Sequence, residues 1–333
     1  MRGSPAAALL SSELPQVAGM PPPAPAWAGP WTGATPGLIS PSRRIFLPAG
    51  GSVAVAGGWP SAANMPSVSG NVLTYYPGFP ASTTASTTTL TLHPGDLNTS
   101  SNGQVIADLE ITGTVNIAHD DVQIKRCWIH NNGFFGIDAE PGAITSGHPA
   151  IIEDCLISSA GPGTTGVLNS NITVRRCRIR DSENGADLGA NVLIEYCFIY
   201  PLYNAGASHA DGIQTQSGGA ASNLTIRENT IYSRGLDDTS TEVNGTSCII
   251  MAVGTTSFTN ITVDHNFFAG GAFALYGPQS TTGTNVQITN NHFSTLFGPS
   301  VGEFGPWTDA TDEAVVTGNV KVDGSDVFIA NLP

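Results

Sequence analysis

Apolar and polar residues alternate with period 2 in short runs that recur through the second two-thirds of the chain. Eight segments align without gaps: VQIKRCWI, AIIEDCLI, ITVRRCRI, VLIEYCFI, LTIRENTI, ITVDHNFF, VQITNNHF and AVVTGNVK. Their shared key position is Cys127, Cys155, Cys177, Cys197, Asn229, Asn266, Asn291 and Asn319, recurring about every 27 residues with spacings of 20 to 37. Three positions earlier stand Ile124, Ile152, Val174, Ile194, Ile226, Val263, Ile288 and Val316. All are β-branched and suit a pleated, packed surface. Two positions after the key residue stand Ile129, Ile157, Ile179, Ile199, Ile231, Phe268 and Phe293, with Lys321 ending the series. The alternation around these columns predicts strands with both sets turned inward.

One such strand per coil, in register, places each strand parallel to the one before. The fold class is therefore all-β, a parallel β-helix solenoid in which like residues stack ~4.8 Å apart. A propeller needs about four strands in ~40–50 residues, which this period does not supply. A second strand in each coil is expected at Phe135–Asp138, Gly166–Asn169, Gly185–Leu188, Gly212–Thr215, Cys248–Met251 and Phe273–Tyr276. Six positions before the key residue, Asn171, Asn191, Asn223, Asn260 and Asn285 recur, as a left-handed turn into a strand favours. Two positions before it, Lys125, Glu153, Arg175, Glu195, Arg227 and Asp264 alternate in sign, so stacked neighbours attract.

The key column reads as a structural ladder of buried thiols grading into stacked amides. Cysteines spaced along an axis do not converge as tetrahedral metal ligands must, so no metal and no cofactor are expected. A disulfide between adjacent coils would be strained, because ~4.8 Å exceeds the usual Cβ separation of ~3.8 Å.

Composition narrows the function. The 333 residues are 40% apolar but only 11% charged, with formal net charge −14. This excludes coiled coils and charge-dense disorder. The acidic balance disfavours nucleic acid, and also an acidic polymer unless a local basic groove exists. No apolar run approaches the ~18 residues of a membrane span, so no insertion is expected. The apolar run Ala6–Leu10 has five residues, against ~7–15 in a signal core. The expectation is a protein that acts in the cell or leaves it within a virus particle, with secretion as the alternative.

The chain divides into four parts. Residues 1–50 are Pro- and Ala-rich, with Pro21, Pro22, Pro23 and Pro25 close together. That composition fits an extended tail and an anchoring arm equally. Residues 51–104 read as a lead-in and N-terminal cap, 105–319 as the β-helix, and 320–333 as a C-terminal cap.

Residues 105–320 resemble the right-handed parallel β-helix proteins of the pectate-lyase-like superfamily. The lead-in GGWPSAAN and the central segment His209-Ala-Asp-Gly-Ile-Gln214 also resemble phage-encoded virion appendages such as tailspikes, tail fibres and decoration proteins. The second resemblance implies a virion protein, assembled in the host cytoplasm. It would attach to capsid or tail proteins through residues 1–50 and bind bacterial surface polysaccharide on its flank, as a homotrimer. The alternative is a polysaccharide lyase or glycoside hydrolase, and enzymatic activity is left open, with a non-enzymatic protein the leading reading. Lyases of the superfamily use an Arg base with carboxylate-bound calcium. Arg178, Arg180 and Arg234 stand outside the charge ladders, but only Asp181 and Glu183 lie near one of them, which departs from that pattern.

Candidate catalytic residues are Asp138, Asp187, His209 and Asp211. Asp138 and Asp187 would share an outward column two coils apart, or about 9.6 Å, close to the ~6.5–9.5 Å of inverting glycosidases. Solvated surface acids are the simpler reading. Asp211 could orient His209 as a general base, although a turn at Asp211-Gly212 capped by His209 is the favoured reading. Trp128, Phe198, Tyr200, Tyr203 and Tyr232, with Gln214, are the candidate glycan-binding residues, since rings stack on the apolar faces of sugars. The same rings would serve a subunit interface.

Overall fold

The computed structural model describes residues 58–332, apart from 132, 207, 217–218, 238, 240, 252–254, 279–282 and 309–313. The arm expected at 1–50 lies outside the described residues.

The described chain is built of strands, wound as a parallel β-helix. A nine-stranded sheet forms one flank. Its strands include Gln123–Lys125, Ala150–Glu153, Ile172–Arg175, Ala190–Glu195 and Ala220–Arg227, which pair in parallel and in register. A second, 20-stranded sheet carries the other two flanks. One flank holds the strand that follows each key residue, as where Ile129 pairs with Ile157 and Ile157 with Ile179. The other holds the expected second strands, as where Ile137 pairs with Val167 and Val167 with Ala186. Ile124, Ile152, Val174, Ile194, Val263 and Ile288 are fully buried in a single core, together with Ile129, Ile157, Ile179, Ile199 and Ile231.

The solenoid starts one coil earlier than the eight aligned segments. Val105–Ala107 pairs with Gln123–Lys125, and Ile106 lines up with Ile124. The strands Thr91–His93 and Leu97–Asn98 already belong to the stack, ahead of the expected boundary at 105. Leu109 stands where later coils carry Cys or Asn, which is why this coil escapes the alignment. At the far end, Val320–Val322 continues the stack and Phe328–Asn331 folds back antiparallel on it, so the last strand is paired rather than open.

Two left-handed corners recur along the solenoid. Asn171, Asn191, Asn223, Asn260 and Asn285 have φ of 55–58°, as their residue type suggests. The other corner precedes the key residue. Asp108, Arg126, Asp154, Arg176, Tyr196, Glu228, His265 and Asn290 occupy it with φ of 49–59°. Arginine, tyrosine and glutamate there cost about 1 kcal/mol or more each. The sharp turn has a compensating partner in the ladder. The backbone N–H of each key residue points inward and needs an acceptor. Asn229 Oδ1 accepts from Cys197 N at 2.8 Å, Asn266 Oδ1 from Asn229 N at 3.1 Å, and Asn291 Oδ1 from Asn266 N at 2.9 Å. In the thiol part of the column, Cys155 Sγ takes this role toward Cys127 N at 3.4 Å. Cys127, Cys155, Cys177 and Cys197 are free and buried, and burial pushes the Cys155 and Cys197 thiols well above their usual range.

The alternating charges meet across coils. Glu153 bridges Lys125 at 3.3 Å, Arg175 at 2.8 Å and Arg176 at 2.8 Å, and Arg227 meets Glu195 at 2.7 Å. Arg126 pairs with Asp108 of the additional coil at 2.8 Å.

Residues 58–90 do more than close one end. Ser67–Ser69, Val72–Tyr75 and Ser86–Thr89 form a small antiparallel sheet. Val68, Leu73 and Leu90 pack on Trp128 and Leu156. Trp59, Met65, Tyr76 and Phe79 pack with Phe198, Tyr232 and Phe267. This strap therefore covers the outward face of the flank that follows the key column.

Candidate functional site

The strap changes the standing of the expected glycan-binding rings. In the column just after the key residue, Trp128, Leu156, Arg178, Phe198, Thr230, Phe267 and His292 succeed one another in register. These side chains leave the solenoid, as the alternation requires, but the chain's own N-terminal segment covers much of the row. Phe198 is 3% exposed and Tyr232 is 7% exposed. Neither is a sugar platform: Phe198 meets Tyr232 edge-on at 5.5 Å, and Tyr232 meets Phe297 edge-on at 5.4 Å. Tyr200 hydrogen-bonds through its hydroxyl to Glu242 and is half-buried beside Phe198. Tyr203 lies apart, on a short strand beside the extension of the Thr230–Leu236 strand. Position relative to a segment without a repeat was not readable from the columns.

Trp128 keeps access to solvent. It stacks on His130 at 3.9 Å between ring centroids, and both line a cleft of about 600 Å³. One wall is the strap, at Ser67, Val68 and Gly70. The floor crosses three successive coils and presents Asn131, Ser158, Arg178, Arg180 and Asp181. His130 is held by Glu110 Oε1 at 3.0 Å. Asp181 Oδ2 receives Ser158 Oγ at 2.9 Å and Arg180 Nε at 2.5 Å. Arg178 lies 5.7 Å from the centroid of the Phe198 ring. Burial, and then the neighbouring Arg180, hold its pKa below the usual guanidinium value. This is a local basic groove on an acidic protein. Its sequence signal is Arg178 itself, an arginine in a column whose neighbours on both sides, Leu156 and Phe198, are apolar.

The third flank carries the carboxylates. Asp138, Leu168, Asp187 and Gln214 occupy one column in that order, with Leu168 between the two acids. Asp138 accepts from Asn169 Nδ2 at 2.6 Å, and burial raises its pKa. Burial pushes Asp187 up to about 6, a hydrogen bond from Gln214 opposing the shift, and its Oδ1 is buried without a hydrogen-bond partner.

His209 and Asp211 do not form an acid–base pair, and Asp211-Gly212 opens the strand Asp211–Thr215 rather than a turn. Asp211 is 2% exposed, and its carboxyl receives the Ser247 hydroxyl at 2.5 Å. Burial pushes it up to about 8. His209 is exposed, and its backbone N–H donates to Glu183 Oε1 at 3.2 Å. A histidine and an aspartate two apart in a strand-entry segment need a common face, and burial separates these two. Asp211 is inaccessible to a polymer and Asp187 is not. Among the described residues, no group of three or more His, Cys, Asp or Glu side chains is placed to hold a metal ion.

Residues 113–293, just over half of the chain, match the family model described as a right handed beta helix region. No curated protein and no solved structure matches the chain.

Proposed function

The chain belongs to the right-handed beta-helix family, and from that premise we propose that it is a glycan-binding rod carried by a bacterial virus as a spike, fibre or decoration protein. One observation carries the glycan reading. The cleft between strap and solenoid combines an indole ring, hydroxyl and amide groups and ionic side chains across three coils. Ligand sites of this kind join apolar surface with a few convergent polar groups, and an extended polymer suits a floor that repeats along the rod axis. Attachment through residues 1–50 to capsid or tail proteins is supported by their Pro-rich composition. Trimerisation belongs to the same reading.

The test incubates the purified protein with extracted bacterial surface polysaccharides and follows both retention and chain length. Retention without shortening supports an adhesin. Deletion of residues 1–50 is expected to abolish incorporation into particles while leaving the rod folded.

A second reading, a polysaccharide hydrolase, is favoured by Asp187. A half-buried carboxyl group on the third flank, shifted to about 6, has the protonation balance of a general acid near neutral pH. Shortened chains that persist in the wild type and vanish in Asp187→Asn would establish it.

A further inference from the structure

We infer that the saccharide held in the cleft is anionic and that Arg178 supplies its counter-charge; this rests on the glycan reading above. Seven arginines lie among the described residues. Six of them, Arg126, Arg175, Arg176, Arg180, Arg227 and Arg234, have a carboxylate within 4.0 Å. Arg178 has no such ion pair among the described residues, on a chain whose 26 acidic residues outnumber 12 basic ones. Its Nε is buried and has no hydrogen-bond partner.

Packing gives no reason for an arginine here. Its neighbours along the column are Leu156 and Phe198, and the strap lies over that row. A leucine would continue the apolar row. Burying an unpaired charge is unfavourable, and the contact with the Phe198 ring offsets it only in part. The nearest carboxylate in the cleft, Asp181, is already held by Arg180 and Ser158. The cleft therefore holds one guanidinium with no ion pair among the described residues, two coils from the Trp128–His130 stack with Leu156 between them. A planar guanidinium fork matches a carboxylate or a phosphate. A saccharide that stacks one ring on Trp128 and carries either group two coils further along the rod would neutralise Arg178 and use the polar floor for its hydroxyls.

The experiment uses the full chain and three oligosaccharides of equal length: one with uronic-acid carboxylates, one with phosphodiester links, and one neutral. Binding is measured by calorimetry at low and high salt, with wild type and Arg178→Leu, alongside the melting temperature of each protein. At least one anionic oligosaccharide is expected to bind tenfold or more tightly than the neutral one and to weaken with salt. Arg178→Leu is expected to lose that preference by roughly 10-fold or more. Its melting temperature should be unchanged or higher by about 1–3 °C. The anionic arm that binds identifies the group. Neutral and anionic ligands bound equally, with no effect of Arg178→Leu, would leave the glycan reading intact and overturn the counter-charge. A lowered melting temperature in Arg178→Leu would make the arginine a packing residue and overturn it as well. Binding of none of the three would remove the glycan reading and this inference together.

Discussion

Trp59 and Asp326, 267 positions apart in the chain, are joined by a hydrogen bond of 2.9 Å from indole Nε1 to carboxylate Oδ2. The other oxygen of Asp326 meets His292 Nδ1 at 2.6 Å, and the Trp59 ring lies edge-on to His292 at 5.3 Å. The start of the strap is thus fastened to the C-terminal turn, while Leu73 and Leu90 hold its later part to Trp128 and Leu156 near the other end. Trp59→Ala is expected to destabilise the protein by about 2 kcal/mol, below the cost of a fully buried indole. Asp326→Asn should cost about 1 kcal/mol. Both are read by denaturant unfolding, and limited proteolysis should cut first between residues 58 and 90.

The interior ladder explains why the eight aligned coils carry only Cys and then Asn in this column. Asn266 accepts from Asn229 N at 3.1 Å and donates to Ile226 O at 2.9 Å, all within the core. Asn266→Ala removes the side-chain acceptor of the Asn229 N–H and should cost about 2–3 kcal/mol. Asn266→Cys should cost clearly less, because the first coils already use sulfur at the equivalent place. Equal losses in the two variants would show that volume, not the acceptor, sets the column.

Gly136, Gly166, Gly185 and Gly212 mark the entry to the third flank, where no Cβ fits. A methyl group at Gly212 would lie 2.3 Å from Ile231 Cγ2 and 2.6 Å from Cys248 O. Gly212→Ala should cost about 1–3 kcal/mol through overpacking. At Gly219 nothing lies within 4 Å of the same methyl group, so Gly219→Ala should change stability by no more than about 0.5 kcal/mol. Thermal unfolding of the two variants makes the comparison.

Asp211 predicts a pH dependence. Its folded pKa, about 8, lies above the unfolded value near 3.9. Between these values the folded state binds more protons than the unfolded state, so this group's contribution is fully present below about pH 4 and is lost as pH rises through about 8. Asp211→Asn keeps a polar partner for Ser247 without a charge to bury. Melting temperatures at pH 5 and pH 9 should differ less in this variant than in the wild type, and at pH 9 the variant should be the more stable. A variant that melts lower at pH 9 would contradict the assignment.

The columns were legible because a parallel β-helix converts sequence period directly into contact. Ile124, Ile152 and Val174 are neighbours along the rod since each coil repeats the same geometry one strand spacing further on. The same logic placed Asp138, Leu168, Asp187 and Gln214 in one column. It failed where the repeat is silent. Asp108 begins the charge stack in a coil whose key residue is Leu109, so the alignment passed over it. Asp211 and His209 share a segment, but Asp211 is buried against the Ser247 hydroxyl while His209 is exposed beside Glu183, a difference that spacing does not set.

By itself, then, the sequence determined the solenoid, its register and the identity of the inward columns, because alternation and stacking are local rules repeated coil after coil. It also determined that outward aromatic residues line one flank. Only the tertiary structure decided which of those are free. The strap of residues 58–90 has no repeat, and its contacts join residues hundreds of positions apart. That packing buries Phe198 and Tyr232, leaves Trp128 at the edge of a cleft, and places Arg178 in that cleft with no ion pair among the described residues.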